Sequence, residues 1–323
     1  MAYKENDLIE DPKKIIGEMK KEWLYSPLKK SNQDEMLEAE LADNESMWSG
    51  ICNTFKANKI ALVSLIVIVA IIACAILAPV ISPYDPEKIN LGNMLSKPTK
   101  ENILGTDNYG RDILSRLLYG SRYSLFIAFV PTLFSLIIGT FLGLTSGYFG
   151  KKVDFLIMRI ADVMLAIPSI LLALIFVYTI GTGITSIIIA LTATGWARTA
   201  RVVRAQTLSF KEKEFVEAAC SIGTSKWKQM TRHILPNCIP TLIVLFTINV
   251  PNAILSEASL SFLGLGVQPP DSSWGLLVYE CKSYIGQIPV SAFAPGVAIM
   301  VLVLAFNFLG DGLRDALDPT MKN

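Results

Sequence analysis

Long apolar runs alternate with short polar intervals along most of this chain. A membrane span needs roughly 20 apolar residues. Six stretches meet or approach that length: Ile60–Ile81, Tyr123–Leu144, Val163–Ile180, Ile184–Trp196, Ile239–Ala258 and Phe293–Leu309. The fourth is short and extends through residues 197–203. The pattern predicts an all-α membrane protein with six transmembrane helices. Residues 1–58 read as a charged cytoplasmic extension with helical periodicity, Ile15, Ile16, Met19 and Trp23 sharing a face. The apolar run after it begins too late for a cleaved signal. Residues 59–122 then form the first span and an external segment, residues 123–319 a five-helix core, and residues 320–323 a tail.

One polar stretch stands out because it is long and regular. Residues 204–237 form a loop between two apolar runs. Ser209 followed by Glu212 is a capping-box pattern and predicts a helix from Phe210. Phe215, Ala219 and Ile222 make an apolar stripe, and Glu217 faces away from it. Gly223 supplies a stop. A second short helix from Ser225 to Ile234 is expected to end before Pro236.

Composition agrees with the pattern and removes several functions. The chain has 323 residues, 52% of them hydrophobic, and a formal net charge of +1. That is a membrane composition, with no bulk basicity to attract nucleic acid. Five scattered cysteines and no C-x-x-C predict neither a disulfide framework nor a metal cluster. There is no G-x-x-x-x-G-K-[ST] loop, no H-E-x-x-H and no G-x-S-x-G, and His233 is the single histidine. The chain is therefore read as non-catalytic, without a cofactor of its own. Lysines and arginines set the orientation. With the N-terminus inside, 22 lie on the inner side and seven on the outer. This predicts an N-in, C-in topology and places Glu217 in the cytosol.

Polar residues within the apolar runs are candidates for a path or for packing. Asn249, Asn252 and Glu257 lie in the fifth run, where buried amides and a carboxylate are costly. They line a translocation path or join helices by hydrogen bonds. Gly139, Gly143 and Gly147 predict close helix approach in the second run. Arg159 and Asp162 are spaced to pair, and Pro168 marks a kink in mid-span. Arg198, Arg201 and Arg204 share a face suited to phospholipid head groups. Gly105-Thr106-Asp107-x-x-Gly110-Arg111-Asp112 predicts a rigid turn with internal hydrogen bonds, or a docking surface formed by Asp107, Arg111 and Asp112.

Glu217-Ala218-Ala219, Gly223 and Leu235-Pro236 resemble the EAA loop of ABC-importer permeases, with its E-A-A-x3-G-x9-I-x-L-P spacing. His233 stands at the isoleucine position. The G-T-D-x-x-G-R-D stretch, Glu257 to Gly266, and Gly310 to Pro319 also resemble the oligopeptide, dipeptide and nickel branch of these permeases. The resemblance implies a type I ABC importer permease of the C type in a bacterial inner membrane. It implies a second permease in a heterodimer, one or two cytoplasmic ATPases that hold ATP and Mg, and an extracytoplasmic peptide-binding protein. Glu217, Ala218, Ala219, Gly223, Leu235 and Pro236 would be the ATPase-coupling residues. The implied cargo is an oligopeptide or dipeptide, with nickel or another small solute as the alternative. A secondary transporter working without an ATPase is the reading from another class. It would call for paired ionisable residues at mid-membrane or related halves, and neither is visible in the sequence.

Overall fold

The computed structural model describes residues 54–317. The N-terminal extension through residue 53 and the Asp318-Pro319 ending lie outside the described residues. Among the described residues the regular structure is helical, with one isolated antiparallel bridge between Thr106 and Asp112.

Helix α1 (Lys59–Ile81) starts at Asn58, whose Oδ1 accepts the Ala61 N–H at 3.1 Å. It is apolar on all sides, as a lipid-facing helix must be. Helix α2 (Ile113–Phe149) begins well before the expected Tyr123, so the division at 122/123 falls inside a helix. The reason is local: Asp112 Oδ2 accepts the Ser115 N–H at 2.8 Å and caps the helix early. Pro131 lies inside α2, which continues through it.

The third expected span is two helices. Helix α3 (Lys151–Ala166) and helix α4 (Ser169–Ile180) meet at 94°. Ile167 precedes Pro168 in extended backbone, the conformation that proline imposes on its neighbour. Pro168 therefore ends one helix and opens another instead of kinking a single one. Helix α5 (Ile184–Lys211) is continuous over 28 residues. Helix α6 (Glu214–Ser221) follows, then a helix α7 running over Lys226–Phe262. Helix α8 (Trp274–Cys281) and helix α9 (Pro289–Leu317) complete the described chain.

By length and composition α1, α2, α7 and α9 are able to cross a membrane, and the bent α3–α4 pair would make a fifth crossing. Helix α5 falls short of that test because Arg198 and Arg201 dilute its apolar half. The expected count of six is thus not reached on these criteria among the described residues.

The glycines of α2 bring it against α5. A Cβ on Gly139 would lie 2.6 Å from the Thr199 Cβ, one on Gly143 2.6 Å from the Ala200 carbonyl oxygen, and one on Gly147 2.7 Å from the Thr207 Cβ. Backbones this close need the missing side chains. The other side of α2 packs with α1, α7 and α9 around Phe129, Val250, Ile254, Leu302 and Phe306. Large apolar side chains on the outside, such as Ile66, Val69, Phe134, Ile137, Phe155 and Tyr178, stay exposed as a surface for lipid.

Candidate functional site

Two regions carry the candidate residues: the α6 surface and a polar cavity beside the α3–α4 break.

Helix α6 begins at Glu214, not Phe210. Helix α5 extends to Lys211, and Ser209 stays inside it, so no capping box forms. Val216 and Ala219 are the buried residues of α6, and Val216 packs with Tyr148, Val203, Met230, Ile234 and Cys238. The expected stripe of Phe215, Ala219 and Ile222 is corrected accordingly, since Phe215 is 42% and Ile222 82% exposed. The sequence pattern misled because the exposed side of α6 also carries apolar residues. Glu217 and Ala218 are exposed, and Glu214 and Glu217 both lie in the first turn, where the helix dipole favours a negative charge.

The stop at Gly223 has a complete hydrogen-bond pattern. The Thr224 N–H donates to the Ala219 carbonyl at 3.1 Å and the Gly223 N–H to the Cys220 carbonyl at 2.9 Å. Gly223 has φ +77°, and nothing lies within 4 Å of a Cβ placed there, so glycine is required by conformation and not by space.

The chain after α6 does not break at Pro236. Residues Gln229–Ile234 adopt a π-helix, which runs without interruption into Leu235. The wider turn relieves the carbonyl that proline would otherwise obstruct. Leu235 is half-buried and Pro236 exposed. Gln229 holds this corner: its Nε2 donates to the Thr224 carbonyl at 2.7 Å, and its Oε1 accepts from the Tyr148 hydroxyl. Lys211 Nζ donates to the Tyr148 carbonyl at 2.9 Å. Thus the segments on either side of α6 are tied to the end of α2 by side chains that have no recognisable sequence pattern.

The arginine row of α5 divides. Arg204 Nη2 donates to Asp154 Oδ2 at 2.6 Å, and Arg201 Nη2 to Asp162 Oδ1 at 2.7 Å. Asp162 therefore pairs across helices with Arg201 and not with Arg159, which lies over the Phe155 ring. The Arg198 side chain has no ion pair or hydrogen bond among the described residues, and it is exposed.

The polar cavity has a volume of about 590 Å³. Asn249, Asn252, Ser256 and Ser259 line it from one face of α7, Ser169 from the start of α4, and Arg198 from α5. Its described wall contains no carboxylate, thiol or imidazole. Asn249 and Asn252 thus face a cavity. Glu257 does not. It is buried, and its Oε1 accepts from the Ser261 and Ser273 hydroxyls, each at 2.7 Å. Ser273 caps α8, so Glu257 joins α7 to α8 and the hydrogen-bonding alternative is the one realised.

The G-T-D-x-x-G-R-D turn is likewise internal. Asp107 is fully buried, and Arg111 and Asp112 are nearly so. Asp107 Oδ2 accepts from Arg111 Nε at 2.7 Å and from Arg116 Nη1 at 2.8 Å, and Arg116 Nη1 reaches Glu280 Oε2 on α8 at 2.6 Å. Asp112 Oδ1 accepts from Asn102 Nδ2 at 2.8 Å. A Cβ on Gly110, where φ is +72°, would lie 1.9 Å from the Asn90 carbonyl oxygen. These side chains are consumed in a rigid knot, so they offer no docking face themselves. Beside it, burial pushes the Cys281 thiol and the Tyr284 hydroxyl above their ordinary values, which keeps both protonated.

Residues 139–323 match the family of binding-protein-dependent transport system inner membrane components. The chain belongs to that family. Residues 46–98 of this permease match the N-terminal transmembrane domain of oligopeptide transport permease C. It is 42% identical over 278 residues to a dipeptide transport system permease protein of Alkalihalophilus pseudofirmus, covering 86% of this chain and 91% of that one. It is 41% identical over 277 residues to an oligopeptide transport system permease protein of Bacillus subtilis, with the same coverage. A glutathione transport system permease protein of Pectobacterium atrosepticum is 40% identical, covering 85% of this chain and 92% of that one. The fold is that of a permease chain in inward-facing structures of the MetNI methionine ABC transporter, with TM-score 0.53, 22% identity, and coverage of 64% of this chain and 98% of that one. The permease is a membrane-embedded subunit of an ABC importer and a multi-pass protein of the inner membrane.

Proposed function

We propose that this permease forms half of the path of an ATP-driven importer of dipeptides or oligopeptides, with six crossings and both termini in the cytosol. A second, different permease supplies the other half. One or two cytoplasmic ATPases, which hold ATP and Mg, engage the α6 surface. An extracytoplasmic peptide-binding protein delivers the cargo.

The observation that carries this reading is the polar row of Asn249, Asn252, Ser256 and Ser259 along a cavity of about 590 Å³. Neutral amides and hydroxyls hydrogen-bond to peptide groups whatever the side chains. The named relatives act on dipeptides, oligopeptides or glutathione, which supports the same class. A nickel path would favour imidazole, thiol or carboxylate donors, and the described wall presents an arginine instead.

The α6 geometry supports a coupling role. Glu217 and Ala218 face outward, while Val216 and Ala219 fix the helix to the membrane domain. Ala218 leaves room for close contact, and Glu217 offers a charge to a basic group of the ATPase. Gly223 and the Leu235-Pro236 corner set the angle at which α6 is presented. Closure of the two ATPases on ATP would draw the paired α6 helices together and reopen the outer side.

The test is reconstitution of the permease with its partner permease, ATPases and binding protein in liposomes. Uptake of a labelled tripeptide should require ATP and every subunit. ATP-independent uptake by the permease alone would point to a secondary transporter, and ATP-driven uptake of nickel but not peptide would move the cargo assignment.

A further inference from the structure

Arg198 is the charged residue in the described wall of the α5–α7 cavity. Its two successors on the same face, Arg201 and Arg204, are each paired with an aspartate of α3. Arg198 has no such partner among the described residues, so its five N–H donors are available. An arginine in a membrane domain without a counter-charge is costly unless an anion or water meets it.

The opposite wall has complementary chemistry. The Ser256 hydroxyl donates to the Asn252 carbonyl at 2.7 Å and the Ser259 hydroxyl to the Leu255 carbonyl at 2.7 Å. Asn252 Nδ2 donates to the Ile248 carbonyl at 3.1 Å. The serine donors are spent within α7, while Asn252 keeps its Oδ1 and a second N–H and Asn249 offers a whole amide. The α7 face is thus neutral with acceptors among its groups, and the charge of the described wall is the guanidinium on α5.

A linear peptide has groups for both walls: an ammonium and N–H groups for the α7 acceptors, and one terminal carboxylate for the guanidinium. We propose that Arg198 is the carboxylate-binding residue of this cavity, and that it receives the C-terminal carboxylate of a peptide in transit while the Asn252, Ser256 and Ser259 oxygens accept from its N–H groups. The planar guanidinium fits a carboxylate with two parallel hydrogen bonds. This proposal rests on the peptide reading above and adds a requirement to it: a free C-terminus matters to the permease, not only to the binding protein. The same chemistry suits a phospholipid phosphate, and the test separates the two sources.

The experiment uses the complete transporter in liposomes, with trialanine and trialanine amide as probes and the same binding protein throughout. The quantity read is the ratio of acid to amide uptake. In Arg198→Gln this preference should fall about tenfold, the loss expected for a charge-assisted pair. Arg198→Lys, which keeps the charge but lacks the fork, should retain an intermediate preference, and it carries the test where the glutamine variant does not assemble. An unchanged preference in these variants overturns the proposal. So does a defect that depends on the phosphatidylglycerol content of the liposome and leaves the preference intact, since that assigns Arg198 to lipid. Wild-type transporter that assembles but moves neither peptide overturns the peptide reading itself, and this proposal with it.

Discussion

Asp107 accepts Arg116 Nη1 at 2.8 Å where both side chains are essentially sealed from solvent, and Arg116 passes the contact on to Glu280 at 2.6 Å. Asp107 belongs to the turn before α2, Arg116 to α2 and Glu280 to α8. One guanidinium therefore fastens three parts of the chain. Asp107→Ala should destabilise the permease by about 3 kcal/mol, because two arginines lose their shared buried counter-charge. Thermal unfolding of the purified protein in detergent checks this. A melting temperature unchanged from wild type would mean that water reaches the cluster.

Glu217→Lys should abolish ATP-driven uptake while the permease still inserts in the membrane, since Glu217 is exposed and bears no packing load. Uptake and membrane content are measured on the same cells. Normal uptake by this variant would sink the assignment of α6 as the coupling surface.

Gly223→Ala should cost about 1 kcal/mol through backbone conformation alone, because the αL geometry at φ +77° is retained only with strain. Reduced recovery of ATPase with the tagged permease is the expected result. Gly223→Asn, which tolerates αL better, should recover most of it.

Cys220 is exposed on α6 whereas Cys281 is buried. In a background with Cys52 replaced by serine, a water-soluble maleimide should label Cys220 and spare Cys281, whose thiol is both covered and held above its ordinary value by burial. Bound ATPase should slow Cys220 labelling. Equal rates with and without ATPase would place the contact elsewhere.

Gly143→Leu should prevent α2 from seating on α5, since even a Cβ would stand 2.6 Å from the Ala200 carbonyl. Loss of folded, monodisperse protein on size-exclusion chromatography is the readout, and Ile137→Leu, exposed on the same helix, is the control.

The sequence reveals some of this arrangement directly, for physical reasons. The apolar runs locate α1, α2, α7 and α9, and the α2 glycines announce a close neighbour. Glu217 and Gly223 are legible because a short amphipathic helix exposes the one and stops at the other. Asn249 and Asn252 are legible because amides in an apolar run need a reason. What stays hidden depends on partners distant in sequence. Arg159 and Asp162 have the right spacing, yet Asp162 finds Arg201 because α5 lies alongside. Glu257 looks like a path residue until Ser273 arrives from a loop. Tyr148 and Gln229 carry no pattern at all. Pro168 signals a disturbance, but only the packing around it determines that the chain turns by 94°.

Helix α5 has no proline, unlike α1, α2, α7 and α9, each of which contains at least one. At 1.5 Å per residue its 28 residues make a rod about 42 Å long. Arg198 sits along it, Asp154 and Asp162 grip it from α3, and α6 hangs from its end. A tug on α6 by the proposed ATPase would meet no proline hinge in α5. It would swing the whole rod, so that the stroke moving α6 would also shift the guanidinium in the cavity, as one arm of a lever moves the other.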